Sequence, residues 1–232
     1  MGFADDGPAG ERRPRQRGTL SREEIVAAGL AIARTDDLNS LTMKRLADAL
    51  NVTPMAVYRH FENKAEIIDA VLDQIVHDSD PSQHGIDPAD WQAWTRATFL
   101  RIHQSFLETP GAMSLIDSLS RFGPGLLAVL DEILAVLKQA GFSNRQAVDA
   151  VSVLISVTFG SLTIDSLRER SVDEIMKSLE QAAGTLGEGQ TILDAYPALT
   201  GAADALLDTR KSRSVEVSLD LTIDAIARWL DD

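Results

Sequence analysis

The stretch Leu41–Leu72, LTMKRLADALNVTPMAVYRHFENKAEIIDAVL, decides the fold of this chain. It contains two short segments, residues 42–50 and 53–60, which only Asn51 and Val52 separate. Apolar residues recur in the first segment at the three- and four-residue spacing of one helix face, namely Met43, Leu46, Ala47 and Leu50. The pattern predicts two short helices joined by a tight turn, which is a helix-turn-helix.

Each of these segments begins with a residue that favours a helix N-terminus. Thr42 can cap the first helix, and Thr53 can cap the second, which has a proline at its first helical position. Asn63 can cap a longer helix that reaches residue 78. Upstream, Ser21 is followed three residues later by Glu24, so a capping box is predicted at the start of an earlier helix.

A helix-turn-helix binds DNA because its second helix lays its N-terminal side chains in the major groove, while the first crosses the phosphate backbone. Ala56 would allow a close approach, and Met55 and Tyr58 can contact thymine methyl groups, sugars or phosphates. His60 and Lys64 lie near the next helix, where phosphate contacts set the register. The competing interpretation is a core αα-hairpin whose aromatic side chains simply pack.

Over residues 19–72 the sequence resembles the tetracycline-repressor (TetR) family of bacterial regulators. The resemblance rests on Thr-x-x-x-Leu-Ala from Thr42, Val-x-x-x-x-Val-Tyr-x-His-Phe from Val52, and the Asn-Lys pair that follows. It implies DNA contacts by Lys44 and by recognition-helix positions, with Arg59 either a helix-face charge or a phosphate contact. The DNA-binding residues that we predict are Thr42, Lys44, Arg45, Thr53, Pro54, Met55, Ala56, Tyr58, Arg59, His60 and Lys64.

Composition bounds the class of protein. The chain has 232 residues and no cysteine, which excludes disulfides, thiol catalysis and cysteine-ligated zinc. The net charge is −13, but residues 1–64 carry ten Lys/Arg and nine Asp/Glu, whereas residues 65–232 carry twelve and twenty-six. An acidic body repels nucleic acid except where basic residues gather. The sequence has no Gly-x-Ser-x-Gly and only four scattered histidines, so we predict that the protein is not an enzyme.

Residues 1–18 are rich in Gly, Pro, Asp and Arg and lack apolar periodicity, which predicts a disordered basic arm. Its arginines either keep the tail soluble or neutralise phosphates beside a DNA-binding domain. The first residues lack the apolar core of a signal peptide, and the nearly apolar run 151–164 is short and rich in hydroxyls. We therefore expect a cytoplasmic protein that does not enter a membrane.

The remaining chain is predicted to be helical near residues 89–108, 112–120, 123–140, 144–169, 172–184 and 212–231, with a connection at 185–211. No segment shows sustained period-two alternation, so the predicted fold class is all-α. We assign residues 19–65 to an N-terminal three-helix helix-turn-helix DNA-binding domain. Residues 66–232 are assigned to a larger helical domain for ligand binding and dimerisation.

Two of these helices suggest a dimer. The helix near 144–169 is apolar on most sides and is expected to be buried all round, while Ser152, Ser156 and Gly160 would let another helix approach closely. The last helix carries a near-heptad seam of Val215, Leu219, Ile223, Ile226 and Leu230. The TetR resemblance implies that these helices of two subunits form a four-helix bundle; the alternative is that both belong to the core of one subunit.

An effector pocket is expected between helices of the larger domain, with apolar walls and a few polar groups. The candidate ligand-binding residues are His103, Phe106, Met113, Phe122, Thr158, Phe159 and Asp165, each of which also suits a core or surface position. His77 and His84 lie near several aspartates but lack metal-ligand spacing, so neither a metal nor another cofactor is predicted.

These patterns together predict a DNA-binding transcriptional regulator that acts as a homodimer. We expect a repressor that a small-molecule effector releases from a palindromic double-stranded operator, by tilting the helix at residues 63–78. The alternatives are a ligand-released activator and a helical interaction module that does not bind DNA.

Overall fold

The computed structural model describes residues 20–35, 41–81, 85–113, 122–168, 197–198 and 211–231. The regular elements in these ranges are helices and include no strand, which confirms the predicted all-α class. In chain order the helices are α1 (Arg22–Thr35), α2 (Met43–Leu50), α3 (Pro54–Tyr58), α4 (Lys64–His77), α5 (Trp91–Leu107), α6 (Pro110–Met113), α7 (Pro124–Gln139), α8 (Asn144–Arg168) and α9 (Lys211–Ala227), the last continued by a 3-10 turn at Arg228–Leu230.

Most helix bounds agree with the predicted ones to within a few residues. The clearest difference is α3, which ends at Tyr58 because the N–H groups of His60 and Phe61 both donate to the Val57 carbonyl and turn the chain. The predicted arm at 1–18 and the predicted helix at 172–184 lie outside the described residues. So do most of the predicted helix at 112–120 and most of the connection at 185–211.

The chain divides into two compact units. Unit 1 comprises residues 1–80 and 105–131, and unit 2 comprises residues 81–104 and 132–232. This division groups residues by their contacts and does not follow chain order. The domain boundary placed at residue 65 therefore stays a prediction.

In unit 1, α1 packs against α2, α4 and α6, and α2 packs against α3. The approach of α1 to α4 is close, since a Cβ atom on Gly29 would lie 2.8 Å from a methyl group of Val71. The first four helices and the turn between α3 and α4 contribute fully or almost fully buried apolar side chains to this core: Ile25, Ala33, Leu46, Ala47, Val57, Phe61, Ile67 and Val71. The short α3 is thus held on a packed base.

Three of the predicted N-caps are confirmed. Ser21 and Glu24 form the capping box, in which the Glu24 N–H donates to Ser21 Oγ (3.2 Å) and the Ser21 N–H donates to the Glu24 carboxylate (3.0 Å). The Thr42 hydroxyl accepts the N–H three residues on at 3.1 Å, and Asn63 Oδ1 does the same at 3.0 Å. Local sequence therefore determined where α1, α2 and α4 begin.

The predicted side-chain cap by Thr53 is wrong. The Thr53 side chain makes no capping hydrogen bond, and the Ala56 N–H donates to the Thr53 carbonyl (2.9 Å). The turn before it depends on Asn51, whose φ of 53° and ψ of 46° are left-handed. Asparagine adopts this conformation more readily than most residues, which explains how α2 can end so abruptly before α3.

A second close approach in unit 1 joins α4 to the start of α7. The Asp73 carboxylate accepts the N–H groups of Gly125 (3.1 Å) and Leu126 (2.8 Å), so it caps the positive end of α7. A Cβ atom on Gly123 would lie 2.3 Å from the carboxyl carbon of Asp73. Residue 123 must therefore lack a side chain for α4 and α7 to approach this closely.

In unit 2, α8 packs against α9. The Gln146 side chain, in the first turn of α8, donates to the Trp229 carbonyl at 3.0 Å. Trp91, at the start of α5, meets the Phe142 ring edge-on with a centroid distance of 5.0 Å. The α8–α9 core is formed by buried apolar residues of both helices: Ala147, Ala150, Leu154, Leu162, Val215, Leu219, Ile223 and Ile226.

The structure bears on two expectations about α8 and α9. Within the single chain α8 is not buried all round, because Val148, Val153, Ile155 and Ile164 are exposed, so its complete burial stays a prediction that requires a second subunit. The predicted seam of α9 is mostly subunit core: its first four members, Val215, Leu219, Ile223 and Ile226, are buried. Helical periodicity identified residues that share a face, but that face packs within the chain.

The α8 helix is also more apolar over a longer stretch than the run 151–164 indicated. Residues 144–165 are long and apolar enough to cross a membrane by length and composition alone, and an 18-residue window within them has a mean hydropathy of 1.8. Only 39% of that window is buried within the chain. A core or interface helix of a protein outside the membrane has the same composition, so the measure by itself is weak evidence for a membrane span.

Candidate functional site

The α3 helix carries a row of exposed side chains above a buried anchor. Met55 is 66% exposed and Tyr58 47%, whereas Val57 between them is fully buried and Ala56 is half-buried. Large apolar side chains exposed side by side on so short a helix are typical of an interaction surface. We define the exposed row of α3 as Thr53, Pro54, Met55, Tyr58 and Arg59.

The predicted DNA contacts on α2 precede the exposed row of α3 in the sequence. Thr42 and Lys44 are exposed, and Arg45 is half-buried, whereas Leu46 and Ala47 on the same helix are fully buried. The α2 helix thus presents a basic pair while its apolar stripe packs on the core. This division of one short helix is what a phosphate-contacting first helix requires.

The turn between α3 and α4 is fixed by a residue that the sequence analysis missed. Arg22 Nη1 donates to the His60 carbonyl at 2.7 Å, and Arg22 Nη2 pairs with the Glu66 carboxylate at 2.8 Å. The guanidinium carbon also lies 3.9 Å from the centre of the Phe61 ring. His60 and Lys64, both predicted phosphate contacts, are half-buried at this turn. A lone arginine 38 residues before its acceptor gives no local sequence signal.

The structure brings together two of the predicted ligand-binding residues in unit 2. His103 Nε2 lies 3.3 Å from Asp165 Oδ2, and both side chains are almost fully buried. Burial lowers the pKa of His103 and outweighs the opposing effect of the Asp165 carboxylate, so the imidazole is neutral at pH 7. Thr158, two turns earlier on α8, is also buried, and its hydroxyl donates to the Leu154 carbonyl at 2.8 Å.

The other candidate ligand residues differ in their burial and in the unit to which they belong. Phe159 is half-buried in unit 2. Phe106 belongs to the part of α5 in unit 1, where it is buried, and Phe122 is 65% exposed in unit 1. The side chain of Met113 lies outside the described residues.

Phe122 lines a cleft of about 410 Å³ that lies wholly within unit 1. Its other walls come from α1, α4 and the start of α7 and include the side chains of Arg22, Glu23, Glu66, Asp69 and Asp73. The cleft is therefore mainly acidic, and two of its residues, Arg22 and Asp73, already make the structural contacts described above. The sequence analysis did not predict it.

The α8 and α9 helices also expose apolar side chains in the single chain. We define the apolar face of unit 2 as Val148, Val153, Ile155, Ile164, Val217 and Leu221. Leu221 is 67% exposed, and the small residues Ser152, Ser156 and Gly160 of α8 are exposed as well. A Cβ atom on Gly160 would meet nothing within 4 Å. A face of this kind is typical of helices that pack against another chain.

Comparison with known proteins identifies both parts of the chain. Residues 25–71 match the model of bacterial regulatory proteins of the tetR family, and residues 85–230 match the tetracyclin repressor-like C-terminal domain. An HTH-type transcriptional regulator of Saccharopolyspora erythraea is 28% identical over 196 residues, covering 82% of this chain and 78% of that protein. The class A tetracycline repressor of Escherichia coli is 25% identical over 212 residues, covering 90% of this chain and 91% of the repressor.

The fold is shared with solved structures. ActR of Streptomyces coelicolor, crystallised with actinorhodin, superposes with a TM-score of 0.73 at 19% identity, over 91% of this chain and 97% of ActR. Some curated relatives are longer, and the matched region spans 56% and 64% of two of them. Because the two family models together span both the helix-turn-helix and most of the remaining chain, this protein belongs to the tetR family of bacterial regulatory proteins.

Proposed function

We propose that this regulator represses transcription by placing the exposed row of α3 in the major groove of a palindromic operator. The observation that carries the proposal is the contrast within α3, where Met55 and Tyr58 are exposed and Val57 is fully buried. A core αα-hairpin would bury its large side chains instead. Thr42, Lys44 and Arg45 of α2, with Ala56, His60 and Lys64, complete the proposed DNA contacts. Acting on DNA, the protein would work in the cytoplasm and by binding rather than catalysis.

We further propose that the protein acts as a homodimer through the apolar face of unit 2. A palindrome is read by two recognition helices about 34 Å apart, which requires two copies related by two-fold symmetry. The exposed side chains of α8 and α9 support this assembly, since they leave in water a surface that a second copy can cover. Val217 and Leu221 replace the buried seam residues as the α9 contacts.

The effector is proposed to bind in unit 2 beside His103, Thr158 and Asp165. A buried carboxylate next to a neutral imidazole is costly in an apolar core, and such perturbed pairs are frequent at functional sites. Small-molecule binding is supported by the ActR complex with actinorhodin and by the tetracycline repressors among the relatives. Phe106, Met113, Phe122 and Phe159 stay predicted contacts.

Release from DNA would follow if the effector binds more tightly to a pose in which α4 has moved. The α4 helix begins directly after the turn that follows α3, so its position sets the orientation of the exposed row. The Asp73 carboxylate holds α4 to the first turn of α7, and α4 therefore does not move independently of that turn.

Selection from a library of random duplexes tests the DNA-binding proposal. We expect the full chain to enrich palindromic sequences whose half-sites are about 10 bp apart, and to bind them with an affinity that falls steeply with salt. A pool without sequence enrichment after several rounds, or binding independent of salt, would contradict the proposal.

Effector binding is tested on the selected duplex. A compound panel that includes tetracycline and actinorhodin is scored for release of the protein–DNA complex. An active compound should lose potency on the His103→Gln and Asp165→Asn variants, which must bind DNA like the wild type without compound. Equal release of all three proteins would place the effector elsewhere.

A further inference from the structure

Arg22 joins three elements that meet at the end of the recognition helix. It belongs to the first turn of α1, yet its guanidinium contacts the His60 carbonyl, the Glu66 carboxylate and the Phe61 ring. We propose that Arg22 is a positioning residue for DNA recognition, which fixes the orientation of α3 without contacting DNA. This inference rests on the proposed function and adds a determinant of specificity to it.

The contact to His60 satisfies a backbone group that the short helix leaves open. The His60 carbonyl follows the end of α3 and lies in the turn where the chain reverses into α4. Carbonyl groups at a helix end need partners from outside the helix. An arginine donor anchored on α1 therefore links the end of α3 to a neighbouring helix of the same packed unit.

The contact to Glu66 extends this link into α4. One Glu66 oxygen accepts from Arg22 at 2.8 Å, and the other accepts the Glu62 N–H at 2.8 Å. The Glu66 N–H is itself the group that Asn63 caps at 3.0 Å. One guanidinium is thus connected to both sides of the turn from α3 to α4, directly at His60 and through the Glu66 carboxylate at Glu62.

Only an arginine can make these contacts together. The planar guanidinium donates through two nitrogens in a fixed fork while its face stacks on an aromatic ring. A lysine carries its donors on a single nitrogen, so it lacks both the rigid two-nitrogen fork and the planar face that stacks on the ring. The Arg22 side chain is 45% exposed and that of Glu66 21%. An ion pair this accessible to water adds little to folding stability, so its main effect is on geometry.

The test compares Arg22→Lys, Arg22→Gln and Glu66→Gln with the wild type on the selected duplex and on a scrambled duplex of equal composition. The matched control is Arg96→Gln, which removes a partly exposed ion pair to Asp220 (2.6 Å) in unit 2 and changes the net charge as Arg22→Gln does. Thermal unfolding shows whether each variant is folded. If an Arg22 variant does not fold, the DNA affinity of Glu66→Gln tests the same contact.

We expect both Arg22 variants to bind the selected duplex about tenfold more weakly, with Glu66→Gln intermediate. Their affinity for the scrambled duplex should change less than about twofold, and the slope of affinity against salt should stay that of the wild type, since no phosphate contact is lost. Hydrogen exchange at residues 58–62 should accelerate in these variants and not in Arg96→Gln.

Two results would overturn the inference. Wild-type affinity and exchange in both Arg22 variants would show that the contacts do not position α3. A salt slope reduced by about 0.9 in Arg22→Gln, with affinity restored in Arg22→Lys, would show a direct phosphate contact instead. A wild-type protein that selects no duplex would refute the proposed DNA binding itself, which is a separate outcome.

Discussion

Replacing Leu221 by glutamate should separate the two subunits of the proposed dimer. Full burial of a leucine side chain stabilises an assembly by about 1.5–3 kcal/mol. Leu221 is 67% exposed in the single chain, and a two-fold interface contains it twice. The pair therefore contributes about 2–4 kcal/mol to association, and its loss should raise the dimer dissociation constant about 30- to 700-fold.

Light scattering coupled to size exclusion measures this change. The wild type should elute at twice the subunit mass of 25.2 kDa, and Leu221→Glu should elute at the subunit mass at micromolar concentration. Leu127→Glu is the matched control, because Leu127 is 52% exposed on α7 within unit 1 and lies outside the apolar face of unit 2. A Leu221→Glu dimer as stable as the wild type, or equal dissociation of the Leu127 variant, would refute this interface.

Four further substitutions test the core, the α4–α7 contact and the buried pair. Leu46→Ala should lower the free energy of unfolding by about 2–5 kcal/mol in chemical denaturation, since Leu46 is fully buried; a loss below about 1 kcal/mol would mean that α2 is not packed. Gly123→Ala should lower the free energy of unfolding by forcing a Cβ atom against Asp73, and Asp73→Ala should relieve part of that loss. Additive effects of the two substitutions in a double-mutant cycle would count against the contact. Burial lowers the pKa of His103 from its usual value of 6.5, so the unfolded state binds this proton more readily than the folded state. The free energy of unfolding should therefore fall as the pH drops below about 6.5. A His103→Gln variant whose stability has the same pH profile as the wild type would be evidence against this assignment.

Sequence patterns predicted the N-terminal helices well because their signals are local. The capping residues Ser21, Thr42 and Asn63 act on N–H groups three residues away, and each makes the expected hydrogen bond. The buried stripe of α2 follows from helical spacing alone. Thr53 shows where such reasoning ends, since it has the residue type and position of a cap but its side chain makes no capping hydrogen bond.

What the sequence did not predict depends on contacts between distant residues. Arg22 meets Glu66 44 residues away, and Asp73 meets Leu126 53 residues away, so neither contact has a local pattern. In α9, spacing grouped Val215 with Leu219 correctly but could not show whether the covering surface came from the same chain. The His103–Asp165 pair was predicted only as two members of a wider set, because helical spacing does not reveal which helices are neighbours.

The most direct test measures how strongly the protein prefers the selected duplex over a scrambled one, before and after truncation of α3. Met55→Ala combined with Tyr58→Ala should abolish most of this preference and leave the fold intact. Phe122→Ala, whose ring is 65% exposed in unit 1 but does not belong to the exposed row of α3, should retain it in full. An α3 double variant that still discriminates between the duplexes as the wild type does would show that this helix does not read DNA.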